Sequence, residues 1–178
     1  FSGIFFVSNV SHRHLDRALE LRIPSILINS YYERMPSILS DNFSGTYTAC
    51  RYLIERGHKS IGIINGNSRY TTNNERWRGC VTATALVAFN DRLALGAIQA
   101  IHQAGLRVPD DISVIGYDNS DQAKYSMPKI TTVEIHAPLM AQTASRMLFQ
   151  QIDDYEVLTV KVLTPVELIE QDSVRPLE

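Results

Sequence analysis

The chain has 178 residues, 44% hydrophobic and 20% charged, with 17 Lys and Arg against 19 Asp and Glu. That composition excludes collagen-like, low-complexity and disordered chains, and no apolar run approaches the roughly 20 residues of a membrane helix. A net charge of −2 with no Lys/Arg cluster leaves little to neutralise a phosphate backbone, so this chain is not expected to hold DNA or RNA by itself.

The elements follow in order. Ile4-Phe5-Phe6-Val7 reads as a strand, and Leu15, Ala18, Leu19 and Leu21 as the apolar face of a helix. Pro24-Ser25-Ile26-Leu27-Ile28 is a second strand, and Leu39 ends a third. Asp41 or Asn42 caps a helix to about Arg56, with Tyr47, Ala49, Cys50, Leu53 and Ile54 expected inward and Gly57 beyond its end. Ile61-Gly62-Ile63-Ile64 is a strand, and a short helix begins at Asn73 or Asn74. A strand from Ala83 to Phe89 leads into an Asn90-capped helix that turns Leu93, Ala94, Ala97, Ile98, Ile101 and Ala104 inward and stops at Gly105. Asp111 to Tyr117 is a strand, Pro138 to about Asp153 a helix, and Val157 to Ile169 holds the closing strands.

Strand and helix alternate, and the strands are continuous apolar runs. That pattern predicts an α/β fold with mostly parallel sheets covered on both faces. The helix at Asn73 reaches only Cys80 before strand character resumes at Val81, a cramped crossover that points to absent residues between Cys80 and Val81. Cys50 and Cys80 have no C-x-x-C spacing, which speaks against zinc or a disulfide framework and for a reducing, cytoplasmic setting.

Six strand ends in succession carry Asn, Asp or Ser: Ser8-Asn9, Asn29-Ser30, Ser40-Asp41-Asn42, Asn65-Gly66-Asn67, Asn90-Asp91 and Asp118-Asn119. Ligands of open α/β sheets bind outside the carboxyl ends of the strands. Short amides and carboxylates there suit a hydroxyl-rich molecule, a sugar or a nucleoside. The same residues are the preferred helix caps and turn formers, and most are expected to be only that; Asp91 and Asn29 read as caps. Arg76 and Arg78 flank Trp77 and offer a guanidinium fork, with a solvated helix face as the alternative. Asp118 ends the most apolar strand, where packing does not explain an acid. His12 and His14, two residues apart, read as a surface pair rather than a metal site. No G-x-S-x-G, Walker A or G-x-G-x-x-G motif is present, so no cofactor and no enzyme activity are expected.

Several segments resemble the effector-binding domain of LacI/GalR-type transcriptional regulators. They are Ser40-Asp41-Asn42-Phe43-Ser44-Gly45, Leu53 to Ile61 through Gly57-His58, Arg76-Trp77-Arg78-Gly79, Ala88-Phe89-Asn90-Asp91-Arg92-Leu93-Ala94, Val108 to Asn119, and Pro128 with Thr131-Thr132-Val133. The tail Leu168-Ile169-Glu170-Gln171-Asp172-Ser173 is similar too, with Gln171 in place of the usual Arg. The resemblance implies a periplasmic-binding-protein-like fold with two parallel-sheet lobes flanked by helices around a hinged ligand cleft. The lobes would be 1–58 with 136–156, and 59–135 with 157–178. It implies a DNA-binding headpiece and two strand-helix units ahead of Phe1 that this sequence lacks. It implies a repressor that binds a small sugar-like effector, forms a homodimer and meets operator DNA only through that headpiece. Carried over by position, Arg76 and Asp118 would be the main effector contacts. Asn90 and Thr72 would assist them, and Phe43 and Ser44 would face them from the first lobe. Ile135 stands where several members place a polar contact, which His136 could replace. The same fold also serves extracellular sugar-binding proteins of transporters, and some regulators sense a phosphocarrier protein, for which Lys124, Tyr125 and Met127 would offer a surface.

Overall fold

The computed structural model describes residues 2–8, 10–65, 83–155 and 159–177. They form two compact units, residues 1–41 with 136–165 and residues 42–135 with 166–178, so the chain passes between units three times.

The first unit holds strands β1 (Ile4–Val7), β2 (Ser25–Ile28), β3 (Ser37–Ser40) and β8 (Lys161–Thr164), with helices α1 (His12–Glu20) and α5 (Ala137–Asp153). The sheet order is β1-β2-β3-β8 and every pair is parallel. Leu15 and Ala18 of α1 pack with Leu27 and Met35, whereas Leu21, expected on that face, is exposed just past the helix. Helix α5 buries Met140, Ala144 and Leu148, and Gln151 Oε1 accepts the Ser25 N–H at 2.8 Å.

The second unit holds β4 (Ile61–Ile64), β5 (Ala85–Ala88), β6 (Ser113–Tyr117), β7 (Thr131–Glu134) and β9 (Glu167–Ile169), with α2 (Asn42–Glu55), α3 (Asp91–Gln103) and α4 (Asp121–Tyr125). The order is β4-β5-β6-β7-β9, and β9 alone runs antiparallel, against β7. Ala94, Ile98 and Ile101 of α3 close one cluster with Val114 and Ile130. Ala49, Tyr52 and Leu53 of α2 close another with Ile115, Tyr117 and Val133. The expected α/β architecture with parallel sheets is therefore present.

Two boundaries differ from the expected lobes. Helix α2 packs on the second sheet rather than ending a first lobe at residue 58, because its buried face is Gly45, Ala49, Tyr52 and Leu53. Tyr47 and Ile54, expected inward, are 58% and 61% exposed. Strand β8, expected in the second lobe, extends the first sheet in register with β3, pairing Ile38 with Val162. Gly45 explains the seat of α2: a methyl there would overlap the hydroxyl of Tyr117, itself fully packed.

The closing segment fastens the second unit at the amino ends of its strands. Ser173 Oγ accepts the Thr131 N–H and donates to the Val114 carbonyl. Gln171, where the resemblance expects Arg, donates to the Ile130 carbonyl at 2.6 Å. The Tyr52 hydroxyl and Arg56 Nη2 both donate to Glu170 Oε2, at 2.8 and 3.0 Å, and the guanidinium lies 3.4 Å from the centre of the Tyr52 ring. Burial first, and then the Glu170 carboxylate, push the Tyr52 hydroxyl up to about 12. His58 is 2% exposed, with Nδ1 at 3.0 Å from Thr84 Oγ1 and Nε2 at 3.1 Å from the Arg175 carbonyl.

Two outcomes follow from this packing. Gly45→Ala should lower the unfolding free energy by about 1–3 kcal/mol, the usual cost of overpacking, in urea denaturation. Burial holds the His58 imidazole below its ordinary range. The unfolded chain therefore takes up the proton first, and stability falls as pH drops below about 6.5. Unfolding free energy measured from pH 7 to pH 5.5 should decline less steeply in His58→Gln than in the wild type.

Candidate functional site

Parallel strands place all their carboxyl ends at one edge of the sheet, and in the second unit those ends are polar. Strand β4 runs into Asn65, β5 into Phe89-Asn90 and β6 into Asp118-Asn119. The backbone is unusual there. Asp118 has φ 99° and Asn119 φ 50°, a left-handed region that few residues other than glycine enter, Asn and Asp among them. In the first unit Ser8 and Asn29, also just beyond strand ends, have φ 61° and 55°. Asn29, read from sequence as a cap, stands instead in a bend between β2 and β3.

The Asp118 loop is held amide by amide. The Asp118 N–H donates to the Val133 carbonyl at 2.8 Å, the Asn119 N–H to Thr132 Oγ1 at 3.3 Å, and the Ser120 N–H to Asp91 Oδ2 at 2.7 Å. Asn119 Nδ2 donates to Glu134 Oε2 at 2.6 Å, while its buried Oδ1 has no hydrogen-bond partner among the described residues. Asp118 itself is exposed. The loop thus presents the exposed Asp118 on a backbone held at three successive amides, next to Asn119, whose side chain is tied to Glu134.

Asn90 takes the capping role expected of it, and Asp91 has a different one. Asn90 is the N-cap of α3, and its Oδ1 accepts the Leu93 N–H at 2.9 Å. Asp91, read from sequence as a cap, is not one. It is the first helical residue, 1% exposed, and its Oδ1 accepts the Thr132 hydroxyl at 2.6 Å. Burial raises its pKa, against the lowering effect of the Thr132 and Ser120 hydrogen bonds. The sequence offered no sign of this second role, since Asp beside a capping Asn at a helix start is itself a good cap.

Phe43 and Ser44 do not belong to the first unit. Both are exposed on the first turn of α2, in the same unit as Asn90 and Asp118. The Phe43 ring, 70% exposed, stacks along the helix on Tyr47 at 6.4 Å and 11°. Ile135 packs against the apolar cluster of the second unit, and His136 follows with φ 51° at the start of α5. Thr72 and Arg76 lie outside the described residues, as do Cys80 and Val81. Among the described residues no group of three His, Cys, Asp or Glu could hold a metal, and no helix is long and apolar enough to cross a membrane. A cavity of about 540 Å³ in the first unit, lined by Pro36, Met147, Gln151, Val160 and Val162, sits at the amino ends of β3 and β8, away from the polar strand ends.

Comparison with known proteins places this geometry. The family model of the periplasmic binding protein-like domain matches residues 78–174. The repressor PurR of Pasteurella multocida, an HTH-type transcriptional repressor, is 32% identical over 175 residues, covering 78% of this chain and 52% of its own length. The probable HTH-type transcriptional repressor ExuR of Bacillus subtilis is 28% identical, covering 99% of this chain and 66% of its own. Its alignment runs over 218 residues against the 178 of this chain, so it carries residues with no counterpart here. A LacI family regulator from Enterococcus faecium, solved with bound ribose, superposes with a TM-score of 0.87 at 24% identity over 98% of this chain and 80% of its own. The chain therefore belongs to the periplasmic binding protein-like domain family, and its resemblance to LacI/GalR-type regulators extends to sequence relatives that are transcriptional repressors. It spans about half the length of the PurR repressors it matches.

The cap gives this region a measurable stability term. Asn90→Ala should lower the unfolding free energy by about 1 kcal/mol in urea denaturation, the typical loss of an N-cap.

Proposed function

We infer that this chain is the effector-sensing domain of a LacI-type transcriptional regulator, a repressor, and that it binds a small hydroxylated molecule, a sugar or a nucleoside. The observation that carries the reading is the Asp118 loop: an exposed carboxylate on two successive left-handed residues, at the carboxyl edge of a parallel sheet, beside the buried acceptor Asn119 Oδ1. Strained backbone is kept where the surrounding structure holds it for a purpose. The relatives support the class of ligand: the Enterococcus faecium regulator holds ribose, and a CelR regulator was solved with cellobiose.

In this reading Asp118 accepts from ligand hydroxyls and Arg76 donates to ligand oxygens through its fork. Asn90 Nδ2 and Thr72 add polar contacts, Phe43 offers an apolar face, and Ser44 a hydroxyl. The contacts are well placed to report binding. Phe43 and Ser44 directly follow the first passage of the chain between units, and β7 leads into the second. An effector shifts a two-state equilibrium only by its differential affinity, about 5.5 kcal/mol to invert a ratio of 1:99. The regulator acts in the cytoplasm as a homodimer, matching a two-fold operator. It meets DNA through a headpiece outside this chain, in keeping with the net charge of −2.

Calorimetry against D-ribose, D-glucose, cellobiose and adenosine tests the site. At least one should bind, and Arg76→Ala and Asp118→Ala should each weaken that binding at least a hundredfold with an unchanged melting temperature. Undiminished affinity in both variants would contradict the assignment.

A further inference from the structure

We propose that Asp91 is a positioning residue for the effector site: its buried carboxylate fastens the loop that carries Asp118, so that Asp118 meets the ligand in one orientation. The proposal rests on the reading of Asp118 as an effector contact and adds a residue that touches no ligand.

The carboxylate has no task within its own helix, because Asn90 already caps α3. A carboxylate that is 1% exposed is costly to bury unless both oxygens are occupied by donors. Here both are. Oδ2 accepts the Ser120 N–H at 2.7 Å and Oδ1 the Thr132 hydroxyl at 2.6 Å. Thr132 Oγ1 in turn accepts the Asn119 N–H at 3.3 Å, so two successive loop amides are tied to Asp91, one directly and one through Thr132. The amide before them, that of Asp118, is fixed to Val133 of β7. Asp91 thereby joins the start of α3, the end of β6 and the middle of β7 around one side chain.

The strand makes room for it. A methyl at Gly116 would overlap Asp91 Oδ1, so glycine at the penultimate position of β6 admits the carboxylate to the sheet. The left-handed conformations of Asp118 and Asn119 are unfavourable for a free loop and persist only where the surroundings hold them. The chemistry also requires an acid rather than its amide. Both partners donate, and Asn at this position would turn an NH₂ group toward one of them.

Amide hydrogen exchange of the full chain, read by NMR without any ligand, tests the clamp. In Asp91→Asn the amides of Asn119 and Ser120 should exchange at least tenfold faster, while those of Ala94 and Ile115 keep their wild-type rates. Unchanged protection of Asn119 and Ser120 overturns the proposal. Thr132 supplies a gentler pair should Asp91→Asn fail to fold: Thr132→Ser keeps the hydroxyl and wild-type exchange at Asn119, and Thr132→Val loses it; equal exchange in the two overturns the proposal. Calorimetry with D-ribose separates the clamp from the reading beneath it. Loss of ribose affinity of tenfold or more in Asp91→Asn, and in Thr132→Val but not in Thr132→Ser, supports positioning. Binding lost in Asp118→Ala but intact in Asp91→Asn overturns positioning alone. Binding intact in Asp118→Ala overturns the effector role of Asp118, while the exchange result still decides the clamp.

Discussion

Strand β6 is buried along all five residues, and the chain leaves that burial at a single peptide bond, between Tyr117 at 2% exposure and the exposed Asp118. So abrupt an exit leaves the backbone groups beyond it in need of partners. They find them on β7 and on Asp91. The sharp turn that results uses left-handed residues, and Asp and Asn are among the few that tolerate them. The polarity of the candidate site is thus a consequence of how a fully buried parallel strand must end. The exposed carboxylate is what that turn leaves facing outward.

The opposite edge of the same sheet is built to stay still. The closing segment runs along the amino ends of β6 and β7, and Ser173 bridges the two strands. His58, Thr84 and Arg175 fill the next position, and Glu170 ties in Tyr52 and Arg56 of α2 and its end. The amino edge is packed and hydrogen-bonded, and the carboxyl edge carries the left-handed loop and Asn119 Oδ1, which has no hydrogen-bond partner among the described residues.

Much of this was legible in the sequence. The strands read as unbroken apolar runs because they are covered on both faces, and β2, β3, β6 and β7 are almost wholly buried. The polar strand ends were visible as a pattern, and so was the special position of Asp118. What escaped the sequence depends on contacts far apart in the chain. Helix α2 has apolar residues on more than one side, and its period cannot say that Gly45 rather than Tyr47 faces inward; only the seat against Tyr117 decides it. The passages between units have no linker composition, so a boundary at 41 looks no different from one at 58. Asp91 looks like a cap until Ser120 and Thr132, 29 and 41 residues away, are seen to claim its oxygens.

We propose that a small hydroxylated molecule binds at the carboxyl edge of the second sheet, and two-dimensional amide NMR with the same sugars and adenosine added in turn would locate it. At least one of them should shift the amides of residues 89–91 and 117–120 and leave His58, Thr84 and Ser173 in place. Shifts concentrated at the amino edge around those three residues, or none with any of these molecules, would contradict it.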